Sequence, residues 1–136
     1  MSVHRMGLRE ALLAVMDGQD RFGHRQHVHL AWIALKTRPE AAGPLLSDWL
    51  REIAAAHGQP ERFHQTRTTA WTEVTRRHLN ADDGGDFDDF VERSPRLLDS
   101  RLLDHHWSRS ALDSAAARTA WMEPDLRPLP AVISNG

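Results

Sequence analysis

The chain has no cysteine and no tyrosine, and Lys36 is its only lysine. Without cysteine there are no disulfides, thiolate metal ligands or thiol nucleophiles. Any metal would have to be held by histidine, carboxylate or water. Without tyrosine, acid–base chemistry falls to His, Asp and Glu. No apolar run approaches the roughly 18 residues a membrane-spanning helix needs, so no membrane partner is expected. The opening stretch MSVHRMGLREALLAVM lacks a basic region followed by an apolar core and a cleavage site. The expectation is therefore a cytoplasmic protein. There is no glycine-rich phosphate loop, no HExxH and no serine elbow, which leaves no evident nucleotide cofactor. Basic and acidic residues nearly balance at a net charge of −2. No clustered basic face marks a nucleic-acid partner.

The chain has 136 residues, 40% hydrophobic and 26% charged. That is enough for one soluble domain spanning 1–136 with one core. The base set is almost entirely arginine, alongside abundant Ala and Asp, a usage typical of a GC-rich bacterial genome. Apolar residues recur at helical spacing throughout, and alternation typical of strands is rare. Leu8, Ala11, Leu12, Val15 and Met16 predict a helix over 5–17, ended by Asp17-Gly18. A second helix is predicted from Phe22 to Lys36, a third over 39–56 and a fourth from Glu61 to Leu79. Short helices follow around Phe87–Val91, after Ser94-Pro95, in RLLDHHW and over Ser114–Met122 with Asp113 as cap. The tail EPDLRPLPAV is predicted to be extended, because its prolines forbid a helix. It is expected to be an ordered strap over about 123–136. The class is all-α: a bundle of about four longer helices, short C-terminal helices and a Pro-rich tail.

The histidines carry the clearest chemical signal. His24 and His27 lie one turn apart on the apolar stripe of the second helix. His64 opens the fourth helix, and His106 sits in LLDHHWS. Histidine stays near the surface unless a partner makes burial tolerable. Core-facing histidines on separate segments therefore suggest a shared polar site. That site could hold a metal, perform acid–base chemistry, or be a satisfied internal network. Imidazoles at i and i+3 can converge on one ion, with His64 as a third ligand and His106 as base or fourth ligand. Such a set suits Zn, Fe, Ni or Cu rather than Mg or Ca. The positive end of the fourth helix would favour the neutral form of His64.

Gln65 and Thr68 beside Trp71, with Trp32 on the second helix, resemble the wall of a mixed polar–apolar ligand pocket. The alternative is that the threonines bond back to their own helix and the tryptophans are core. Arg109 is a candidate clamp for a substrate carboxylate, or a helix-end or ion-pair residue. His29, two residues after His27, reads as surface, and His4, His57 and His78 read as incidental. DDGGDFDD reads as an acidic turn and not as a calcium loop.

The order of motifs resembles that of a widespread group of small, all-helical bacterial proteins of unassigned function, with HxxHLxxAW, FH(E/Q)T, LLDxxLL…HWSR and W-x-EPDLxPLP in turn. The matching residues are His24, His27, Val28, Ala31 and Trp32; His64 and Thr66; Leu97, Leu98, Asp99, His106, Ser108 and Arg109; and Glu123 to Leu126 with Pro128 to Pro130. Gln65 stands where that group often has Glu. The resemblance implies that His24, His27, His64 and His106 belong together, and it implies no reaction. The leading expectation is a histidine-site enzyme of a biosynthetic pathway, metal-dependent through His24, His27 and His64. It would act on a small molecule with His64, His106 and Arg109 as catalytic groups. Proton-transfer chemistry of the isomerase, cyclase or lyase type is as well motivated as hydrolysis. A metal-free histidine catalyst and a non-catalytic ligand- or metal-binding module are the alternatives, with homodimerisation open in each.

Overall fold

A computed structural model describes residues 7–81 and 85–129. His4, the first predicted helical residues at 5–6, part of the acidic turn and residues 130–136 of the tail lie outside the described residues. Every regular element among those described is helical. The α-helices are α1 (Leu8–Val15), α2 (His24–Thr37), α3 (Ala42–Ala56), α4 (Gln65–Ala81), α5 (Phe87–Arg93), α6 (Arg109–Asp113) and α7 (Ala115–Thr119). Short 3-10 turns at Pro39–Ala41, Pro60–Arg62, Pro95–Leu98 and Leu102–His105 join them. Pro39, Pro60 and Pro95 each start such a turn, where their fixed φ is already helical and no donor is lost.

α2 is the central helix. It buries Val28, Leu30, Ala31, Ile33, Ala34 and Leu35, an apolar set that runs around most of its circumference. A helix apolar nearly all round must be enclosed, and α1, α3 and α4 pack on it. Its first turn is secured by Gln26, whose Oε1 accepts the Gly23 N–H at 2.8 Å. α3 contributes Leu46, Trp49 and Leu50 to the core, and α4 contributes Ala70, Trp71 and Val74.

The C-terminal third is held by a few long-range bonds. Thr66 is fully buried; its hydroxyl donates to the Ala120 carbonyl at 2.9 Å and accepts the Met122 N–H at 3.1 Å. The indole N–H of buried Trp107 donates to the Met122 carbonyl at 3.0 Å. Leu126 N–H donates to the His106 carbonyl, and Asp125 accepts from both the backbone and the hydroxyl of Ser108. These bonds strap the described part of the Pro-rich tail across the bundle.

Some boundaries differ from the sequence expectation. α4 starts at Gln65 instead of Glu61, because Pro60–Arg62 forms a 3-10 turn and Phe63 is extended. The helix predicted over Ser114–Met122 is the shorter α7, and α6 forms before it where no helix was predicted. Ser108 and Ser114 cap them, their hydroxyls accepting from Ala111 N–H and Ala117 N–H. Ser114, not Asp113, is therefore the cap of α7.

Candidate functional site

A cleft of about 800 Å³ opens between α1, the C-terminal half of α3, the Pro60–Arg62 turn and the start of α4. Leu8, Leu12 and Met16 of α1 form one wall; Leu50, Ile53 and Phe63 form the other. Phe22, in the connection between α1 and α2, sits beside His27 with ring centroids 6.0 Å apart. The volume lies within the range of small-molecule sites, and the mostly apolar lining with a few polar groups is their usual make-up.

His27, His64 and Thr68 are the sequence-selected residues that line this cleft. The His27 Nε2 atom is buried and has no hydrogen-bond partner among the described residues. Burial pushes the His27 pKa down to about 4, with the neighbouring His24 adding to the effect. The ring is therefore neutral at ordinary pH. A buried polar atom without a partner is uncommon in folded proteins and calls for a specific explanation.

His64 is arranged differently. Its Nδ1 accepts the Arg67 N–H at 3.1 Å, so the imidazole caps the first turn of α4. That leaves the ring proton on Nε2, which faces the Leu112 carbonyl at 2.6 Å. One side chain thus closes the open end of α4 and ties it to α6. Burial is the main cause of its lowered pKa; the bond to Leu112 opposes this, and Arg67 and Arg118 reinforce it. The sequence anticipated a His at the start of α4, but its role as the N-cap becomes visible only once α4 begins at Gln65.

His24, one turn before His27, points past the cleft to the Pro95–Leu98 turn. Its Nε2 faces the Leu97 carbonyl at 2.8 Å, and its ring meets Trp71 edge-on at 4.5 Å. A carbonyl can only accept, so Nε2 carries the proton and Nδ1 is left as an acceptor. Burial lowers its pKa, against the Leu97 bond and the Asp99 charge. Among the described residues no three His, Asp or Glu side chains gather as a metal site requires. A metal on His24, His27 and His64 would need His64 to release one of its two bonds.

The remaining selected residues stand apart from the cleft. The His106 Nδ1 faces the Arg127 carbonyl at 3.0 Å, which anchors the tail. Arg109 is exposed at the first turn of α6. Gln65 joins α4 to α3: its amide donates to Ser47 and Thr69 hydroxyls and its carbonyl accepts from Arg51. A glutamate at that position would meet the same arginine. Trp71 is core. Trp32 packs with His29 and Phe87, and Lys36 lies over its ring. His29, which the sequence placed at the surface, stacks on Phe87 at 4.0 Å with rings 2° from parallel. Burial, and then Arg25, lower its pKa to about 4 against the pull of Asp88. Thr68 donates back to the His64 carbonyl and Thr72 to the Thr68 carbonyl, as helix threonines do.

Sequence reasoning missed the apolar walls of the cleft and its arginines, Arg21, Arg62 and Arg67. Phe22 just before the HxxH pair, and Arg67 one turn after His64, were the available signals. No family model, curated protein or solved structure matches the chain.

Proposed function

We propose that this protein takes a largely apolar small molecule into the cleft between α1, α3 and α4, with His27 as the group that hydrogen-bonds it. The carrying observation is the buried, partnerless Nε2 of His27 in the wall of a cleft of about 800 Å³. A ligand hydroxyl or amide would satisfy that atom, while Leu12, Met16, Ile53 and Phe63 cover its apolar body. Nε2 is closed to solvent, so a ligand reaches it only by displacing a neighbouring side chain, with Phe22 the nearest ring of the lining.

Neutrality of His27 favours a catalytic version of this reading, a histidine-site enzyme in which His27, expected from the sequence as a metal ligand, takes the role of base in place of His64 and His106. A neutral imidazole with an unshared nitrogen is competent to accept a proton from a bound substrate. With its pKa near 4, it would retain that proton only beside a negative charge.

The test is a titration of the full chain with neutral probes, octanol and 3-phenylpropanol, followed by amide shifts and by the His27 ring nitrogens. Shifts centred on Leu12, Ile53, Phe63 and His27, weakened in His27→Phe, support the reading. Shifts absent from those residues overturn it. Elemental analysis of untagged protein purified without nickel or chelator tests the metal-dependent version, beside His24→Ala/His64→Ala. Stoichiometric transition metal lost in the variant would support that version. A metal-free, fully folded wild type would leave acid–base chemistry or binding alone.

A further inference from the structure

We infer that the ligand of this cleft is an amphipathic carboxylate, and that Arg67 is the residue that receives its charged end. The inference rests on the cleft being a small-molecule site. Arg21, Arg62 and Arg67 reach its lining from three separate segments: the α1–α2 connection, the Pro60–Arg62 turn and α4. None of their guanidinium groups has an ion pair or hydrogen bond among the described residues. Some arginines of this fold do have acceptors. Arg25 meets Asp88, Arg51 meets Gln65, Arg76 meets the Pro39 carbonyl and Arg118 the Glu61 carbonyl.

Arg67 is the decisive member. Arg21 and Arg62 are exposed and hydrated, whereas Arg67 is half-buried. Its charge is close enough to depress the pKa of His64. A guanidinium partly withdrawn from water with no acceptor beside it is arranged for an incoming one, and its planar fork matches a carboxylate. Asp20 and Glu52 also border the cleft but are exposed, so water screens them more than the wall screens Arg67. The inner wall therefore carries one positive group beside the neutral His27, His64 and Thr68, and is otherwise apolar. A cationic or a wholly apolar ligand would leave Arg67 uncompensated. A carboxylate on an apolar body satisfies it and leaves His27 for a second polar atom.

The experiment compares matched pairs on the full chain: octanoate with octanol and 3-phenylpropionate with 3-phenylpropanol, by calorimetry and amide shifts. The wild type is expected to bind each acid about tenfold tighter than its alcohol, the scale of one partly screened charge-assisted pair. Arg67→Gln is expected to bring acid and alcohol within about twofold without changing the alcohol, and Arg67→Lys to fall between. The fold should survive, since only the backbone N–H of Arg67 is used in capping. Alcohols that bind in the cleft as tightly as acids would overturn the inference and leave the cleft reading intact. So would an acid preference untouched in Arg67→Gln. If neither class shifts the cleft residues, both readings fall.

Discussion

His64 is expected to be the most consequential histidine for stability, for reasons unrelated to chemistry on a ligand. Its ring holds the first turn of α4 through Arg67 N–H and holds α6 through the Leu112 carbonyl. In His64→Ala the lost cap costs about 1 kcal/mol. The buried Leu112 carbonyl left without a donor costs about 2 kcal/mol. The truncated ring leaves space worth about 1 kcal/mol more. The total is about 4 kcal/mol, a large share of the roughly 5–15 kcal/mol that holds a domain of this size together. Asparagine is a good cap but cannot reach Leu112. His64→Asn should therefore lose about 3 kcal/mol, for the Leu112 bond and the missing ring, while keeping the cap. Urea unfolding followed by tryptophan fluorescence reads both differences. A loss under about 1 kcal/mol in His64→Ala would refute the double-anchor account. Equal losses in the two variants would refute the capping half of it.

Other outcomes follow from the same contacts. Thr66→Val keeps the shape but removes a hydroxyl that bonds Ala120 and Met122; a loss of about 2 kcal/mol is expected. Trp121 emission should shift as the strap loosens, and an unchanged midpoint and spectrum would argue against the strap. Acid should destabilise the fold, because His24, His27, His29, His64 and His78 all have folded pKa values below the ordinary 6.5. The unfolded chain then takes up protons first as pH falls, so this stability is complete above about pH 7 and lost towards pH 4. For His27 alone, a fall from 6.5 to about 4 corresponds to about 2 kcal/mol lost by about pH 5. A midpoint that stays constant between about pH 8 and pH 5 would contradict this. His27→Phe should be as stable as wild type or more so, since it removes an unpaired buried nitrogen and keeps a ring against Phe22. It should flatten the acid dependence and weaken octanol binding; a variant that loses stability at about pH 8 would show that Nε2 has a partner in solution.

The all-α class and most helix positions were legible in local pattern. The period of Leu8, Ala11, Leu12 and Val15, or of Val28, Ala31 and Leu35, specifies which face each helix buries. The prolines at 39, 60 and 95 specify where segments start, because proline's constraint on φ acts on its own residue. The serine caps of α6 and α7 are equally local, though a run of alanines concealed them. The histidines of HxxH could also be read as core-facing from spacing alone.

What each imidazole does there was decided elsewhere. His24 and His27 are one turn apart, yet one finds the Leu97 carbonyl and the other the cleft. His64 is separated by 48 residues from the Leu112 carbonyl its ring proton meets. The role of an imidazole depends on which of its two nitrogens has a partner, and those partners are backbone carbonyl and N–H groups, which nearly every residue possesses. Side-chain identity therefore carries no trace of them. The same holds for the cleft, whose walls are ordinary Leu, Ile, Met and Phe. Sequence by itself determined that these residues would leave water and which helices would carry them. Only the packing of α1, α3 and α4 around α2 decided that they would enclose a space, that His27 would face it without a partner, and that Arg67 would stand beside it without an acid.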